Sequence, residues 1–225
     1  MNKQMIINKI AKVARETLEN ESSGHDWWHV YRVWKNAIHI GKHENVDLFI
    51  VELAALLHDI DDWKANKGNE KIGPQRAREC LEKLNVDKCV ISQVCKIIKQ
   101  TYQDVDFVGK KLKDTLKSKE AKVVWDADKL DAIGAIGIAR GFTFAGSKGL
   151  TIHDPSIKPL SKIENFELYK NLKRPTYTQI NHFYEKLLLL KDLMNTKTAR
   201  KIAQKRHKFM EMFLARFFKE WEGKL

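Results

Sequence analysis

The placement of proline constrains this chain more than any other feature: of four prolines in 225 residues, one is Pro74 and three fall between Pro155 and Pro175. Proline removes a backbone donor and clashes with the preceding helical turn, so the proline-poor stretches on either side are free to run as long helices. Apolar residues there recur at three- and four-residue steps, as in Val30, Val33, Ala37 and Ile40. That spacing predicts a buried helical stripe rather than an alternating strand. The expected class is all-α.

Turn residues divide the helices. Ser22-Ser23-Gly24 precedes the first stripe, on whose side His29 lies, and a second helix is predicted from about Asp47 through Leu57, with Val51, Ala54 and His58 on one face. Lys67-Gly68-Asn69 breaks the chain, and Gly73-Pro74 opens a helix carrying Ala77, Cys80 and Leu81. Leu84 to Asp87 reads as a short turn before a helix over Val90 to Lys99. Val123 to Arg140 is short of bulky side chains, so neighbouring helices can approach it closely, and Asp128, Ala132, Ala135 and Ala139 are expected to share a face. Phe142 to Lys162 is the longest candidate loop, of the length that in a compact domain is usually functional or mobile. Two long helices, parted near Asn195-Thr196, are expected over Thr178 to Trp221.

This length is ample to bury a sizeable core without covalent staples. Cys80, Cys89 and Cys95 are odd in number and lack metal-type spacing, so they are expected as ordinary reduced thiols. The N-terminus interleaves Lys3, Lys9, Lys12 and Arg15 with Ile6, Ile7, Ile10 and Val13, which is helical amphipathicity and not a signal-peptide core. The longest apolar run, Leu48 to Leu57, contains Glu52 and is about half the ~20 residues of a membrane span. A soluble, cytoplasmic protein is expected. The formal charge of +12 favours anionic partners: nucleotides, nucleic acid or an acidic surface.

His58-Asp59 closes an apolar helix, where burying a carboxylate without a partner costs several kcal/mol. Taken alone, the ordinary account is a pair satisfied by hydrogen bonds. A second histidine on an apolar face, His29, and an aspartate, Asp128, on a helix built from alanine and glycine change the reading, because together they form the ordered pattern H…HD…D.

That pattern, with HVYRV at His29, ALLHDIDDWK around His58-Asp59 and DADKLDAIGAIGIARGF around Asp128, resembles the HD superfamily of metal-dependent phosphohydrolases. FAGSKG (Phe144 to Gly149), IHDP (Ile152 to Pro155) and INHFYEKLLLLKDLMNT extend the similarity over most of the chain, closest to a bacterial nucleotide-pyrophosphohydrolase-like branch. The resemblance implies a single HD-type domain: a metal core over about residues 20–142, a loop over about 142–177, and two additional long C-terminal helices over about 178–221. It also implies that His29, His58, Asp59 and Asp128 hold a divalent ion. Two imidazoles and two carboxylates suit Mn²⁺ foremost, and also Fe²⁺, Co²⁺, Ni²⁺ or Zn²⁺. Some relatives hold two metals through extra histidines between the HD pair and the last aspartate. Here the next histidine after His58 is His153, so one ion per chain is expected.

In related enzymes an acid at the offset of Asp62 from His58 helps activate water, although Asp62 is also one of three clustered solvent-type acids. His25-Asp26 echoes the family's HD-x-x-H opening; His25 is a candidate acid–base or substrate residue, and Asp26 suits a helix N-terminus. Lys64 and Lys129, near the HD pair and Asp128, are candidate phosphate contacts and equally ordinary surface lysines. Arg140, Ser147 and Lys148 bracket the glycine-containing segment, whose amides and cationic heads would suit phosphate. Trp27, Trp28, Trp34 and Trp63 are expected to be core residues.

The resemblance implies a phosphorylated small-molecule substrate, with hydrolysis of a nucleoside triphosphate to monophosphate and pyrophosphate as the leading activity. A nucleotide monophosphatase or a phosphodiesterase needs the same contacts. A reading of another class is nucleic-acid binding through Lys197, Arg200, Lys201, Lys205, Arg206 and Lys208, whose ordinary account is a solvated helix face. Apolar strips on the tail helices are compatible with a homodimer.

Overall fold

The structure is a computed structural model that describes residues 1–19, 26–60, 72–101, 116–160 and 178–224. Among the described residues the regular elements are helices, as the sequence predicts. They are α1 (Lys3–Leu18), α2 (Trp27–Gly41), α3 (Leu48–Leu57), α4 (Ile72–Lys83), α5 (Lys88–Thr101), α6 (Lys119–Asp131), α7 (Gly134–Ser147), α8 (Gln179–Glu185), a 3₁₀ segment (Leu187–Leu193) and α9 (Lys197–Trp221). No helix among these residues is long and apolar enough to cross a membrane. The chain forms two compact units, Met1–Val105 with Lys111–Asp128 and Asp106–Lys110 with Lys129–Leu225.

In the first unit α3 packs against α1, α2 and α5. That central place explains its sequence, LFIVELAALL, which is apolar nearly all round. Asp47 caps it, accepting from the Phe49 and Ile50 amides at 2.9 and 3.4 Å. The turn from α2 into α3 has no room for a side chain at Gly41, where a Cβ would come within 2.7 Å of Leu48. Asn45, with φ 50°, and Asn85, with φ 53°, take the left-handed conformation in the turns that leave α2 and α4.

In the second unit α7 packs on α9, which also meets the 3₁₀ segment. Ala199, Ala203, His207, Met210 and Leu214 make the buried stripe of α9, and Phe213 stacks on Phe183 with ring centroids 5.8 Å apart. The segment leaving α7 is tied to α8: the Gln179 and Ile180 amides, orphan donors of its first turn, reach the carbonyls of Thr151 and Ile152 at 2.9 and 3.0 Å. Leu160 N–H donates to the Glu185 carboxylate at 3.0 Å.

Three expectations change. Val123 to Arg140 is not one helix: α6 ends at Asp131 and α7 begins at Gly134, with Ile133 extended, so Asp128 does not share a face with Ala132, Ala135 and Ala139. The expected loop from Phe142 starts later, because α7 continues through Ser147. The first of the two long C-terminal helices is instead the seven-residue α8 and the 3₁₀ segment, separated by Lys186 at φ −137°. Burial of Leu187 and Leu190, three apart, matches the three-residue turn of that segment.

Candidate metal centre

Asp26 caps α2 by accepting the His29 amide at 2.9 Å, which places His29 in the first turn of the helix. From there Val30, Val33 and Ala37 carry the apolar stripe into the core, and His29 is fully buried with them. His58 occupies the C-terminal cap of α3 and is 2% exposed. Its Nδ1 lies 2.8 Å from the Ala55 carbonyl, an acceptor only, so Nδ1 carries the proton. Nε2 is buried and makes no hydrogen bond among the described residues. Asp59 follows directly, and Asp128 is presented by α6.

The four side chains converge. His29 Nε2 is 3.4 Å from Asp59 Oδ2 and 3.5 Å from Asp128 Oδ1. His58 Nε2 is 3.5 Å from Asp59 Oδ2 and 4.0 Å from Asp128 Oδ1. The two imidazoles meet edge to face, 5.4 Å apart. Bonds of about 2.1 Å to a common ion, opened by roughly 90–140°, separate donor atoms by about 3.0–4.0 Å, the range seen here. Two carboxylates drawn toward buried imidazole nitrogens repel one another unless positive charge lies between them. His29, His58 and Asp59, with donor atoms all within 4.8 Å of one another, therefore fit a divalent cation, and Asp128 Oδ1 lies near both imidazoles.

Of the other residues singled out in the sequence, His25, Asp62 and Lys64 lie outside the described residues, as does Trp63. Lys129 follows Asp128 on α6 and is half-buried. Arg140 pairs with the buried Asp131 at 2.8 Å, so part of its guanidinium serves the protein itself. Ser147 and Lys148 are exposed, and the Ser147 hydroxyl donates to the Phe144 carbonyl at 2.8 Å. The amides expected to cradle phosphate there are already used: those of Lys148, Gly149 and Leu150 donate to Phe144, Gly146 and Ala145 at the end of α7.

The basic run on α9 is largely a solvated face, as its ordinary account expects: Lys197, Arg200, Lys201, Lys205 and Lys208 are exposed, and Arg206 is part-buried. Arg200 donates to the Met194 and Asn195 carbonyls at 2.9 and 3.0 Å, and Arg206 donates to the Leu130 carbonyl. Lys197 is the first residue of that helix. Trp27 is buried as expected, whereas Trp28 is 56% exposed.

Sequence reasoning passed over Asp126 and Asp131, which are 0% and 1% exposed. The available signal was their place in DADKLD, where three acids at such short spacing cannot all face water from one helix.

Residues 27–133 match the HD domain. The YpgQ protein of Bacillus subtilis (strain 168) is 42% identical over 207 residues, 92% of this chain and 89% of that protein. An HD-superfamily hydrolase from Bacillus thuringiensis, solved as a crystal structure, aligns with a TM-score of 0.75 at 39% identity, covering 98% of this chain and 99% of its own. The crystal structure of B. subtilis YpgQ in complex with ADP aligns with a TM-score of 0.74 at 35% identity, covering 98% of this chain and 97% of its own. The H…HD…D side chains, their convergence and these likenesses agree: the chain belongs to the HD superfamily of metal-dependent phosphohydrolases.

Proposed function

We propose that this enzyme hydrolyses nucleoside triphosphates between the α- and β-phosphoryl groups, water adding to the α-phosphorus so that a monophosphate and pyrophosphate leave. The observation that carries the reading is the approach of His29 and His58 Nε2 to the carboxylates of Asp59 and Asp128. The ADP in the YpgQ crystal structure supports a nucleotide as the class of ligand.

His29, His58, Asp59 and Asp128 would hold one divalent ion, with Mn²⁺ the best match to a mixed nitrogen and oxygen set. Such an ion supplies Lewis-acid polarisation of a phosphoryl oxygen and a lowered pKa for bound water. The protein's own part begins with the Ala55 carbonyl, which fixes the His58 ring so that Nε2 faces its neighbours. Asp62 takes the role of positioning water and accepting its proton, with His25 as a further acid–base group. Lys64 and Lys129 serve as phosphate contacts, whose charge is felt in ground and transition states alike. Ser147, Lys148 and the remaining donors of Arg140 complete the candidate substrate contacts.

The test is product analysis after incubation of the purified protein with a panel of nucleotides and Mn²⁺. Pyrophosphate with the matching monophosphate is expected. Release of inorganic phosphate alone would indicate a phosphatase, and cleavage only of diester substrates a phosphodiesterase; either result removes the pyrophosphohydrolase reading.

A further inference from the structure

The turn that ends α6 is gripped by charged side chains from two other helices. Arg206, on α9, donates through Nη1 to the carbonyl of Leu130. Its stem lies on Gly134, where an added Cβ would come within 2.9 Å of the arginine Cγ and 3.0 Å of its Cβ. Gly134 has φ +77°, which an L side chain adopts only under strain, so this contact is open to glycine. Arg140, on α7, donates through Nη1 to the Asp131 carbonyl at 3.3 Å and to its carboxylate at 2.8 Å. Arg206 is largely withdrawn from water: burial pulls its pKa down, and the charge of Asp131 opposes that pull.

A helix normally leaves its last carbonyls to water. Here two guanidinium groups take the carbonyls of Leu130 and Asp131, complementing the negative end of the helix dipole. The arrangement desolvates one carboxylate and part of two cations, which by itself is weak support for stability. What it secures is geometry. Asp128 stands three residues before Asp131 on the same helix, less than one turn away. A carboxylate that must meet two imidazole nitrogens at once tolerates displacement of only about 0.5 Å.

We propose that Arg206 and Arg140 are positioning residues for the metal centre: by taking the last carbonyls of α6 they keep its final turn, the one that carries Asp128, helical. The assignment rests on the metal reading above, and neither arginine is itself a ligand.

The experiment is titration calorimetry of the metal-free full chain with Mn²⁺, alongside thermal unfolding, for the wild type, Arg206→Met, Arg206→Lys, Arg140→Lys and Met210→Ala. Residues that orient a ligand typically change affinity by about 10–100-fold. Arg206→Met is expected to weaken Mn²⁺ binding by at least ~10-fold. The two lysine variants keep the charge without the planar fork and should fall between it and the wild type. If Arg206→Met fails to fold, those two carry the test. Met210, fully buried on the same helix, reports plain destabilisation: its alanine variant should lose thermal stability through a cavity and bind Mn²⁺ as the wild type does. Wild-type affinity in the arginine variants would overturn the inference, and so would equal weakening in Met210→Ala. A wild type that binds no Mn²⁺ is a separate failure, removing the metal reading and the inference with it.

Discussion

Trp34 Nε1 donates to Glu52 Oε2 at 2.9 Å, strapping the helix that carries His29 to the helix that ends in His58. Trp34→Phe keeps the aromatic bulk and leaves the half-buried Glu52 carboxylate without this donor, at a cost of about 1–3 kcal/mol. The midpoint of chemical denaturation should fall with an unchanged slope, and Mn²⁺ affinity should fall with it. Lower stability with undiminished affinity would show that the two imidazoles hold their places without the strap.

His58→Ala and Asp59→Ala should each empty the site and lower turnover by roughly 10³-fold or more, since both the Lewis acid and the activated water depend on the same ligands. Metal analysis of the wild type, freed of loosely held ions, should approach one divalent ion per chain. Full metal content and turnover in both variants would contradict the ligand assignment; two tightly held ions in the wild type would contradict the count.

The helper residues separate kinetically. Asp62→Asn should retain metal and nucleotide binding and lose about 10²–10⁴-fold in kcat, because a positioned base acts on the transition state. Lys129→Ala should instead raise KM, the signature of a contact made equally before and during reaction. Wild-type turnover in Asp62→Asn would take that residue out of the mechanism.

The H…HD…D pattern and the resemblance it carries pointed to a cluster in sequence, and the structure brings donor atoms of His29, His58 and Asp59 within 4.8 Å of one another. Helix starts were nearly as plain: Asp26, Asp47, Thr178 and Thr196 each sit where a short polar side chain caps a helix, and each accepts a first-turn amide. The break between Asp131 and Gly134 was not legible, since alanine and glycine at 132, 134 and 135 fit a close-packed helix as well as a turn. The turn joins the left-handed φ of Gly134 with a contact distant in sequence, Arg206 on the Leu130 carbonyl. The same reason hid the roles of Arg140 and Arg206. Counted by composition they are surface cations, and only their partners show that part of each guanidinium is turned to the protein itself.

Thiol reactivity should follow burial. Cys89 is exposed, whereas burial raises the pKa of Cys80 and Cys95, and the latter's thiol donates to the Pro74 carbonyl at 3.2 Å. The thiolate is the reacting species, so a disulfide reagent at neutral pH should label one cysteine rapidly and the other two slowly, with their rates rising as pH is raised. All three should react together in denaturant. Equal rates in the native protein would contradict the burial order.

The metal centre also has a history within each molecule's synthesis. His29, His58 and Asp59 emerge early, but Asp128 follows about 70 residues later, which at roughly 5–20 residues per second is several seconds of translation. A nascent chain with three ligands exposed holds an ion weakly and exchanges it freely with its surroundings. On the four-ligand reading, selection of the ion falls to the moment α6 joins the set, with well over a third of the chain still to be made.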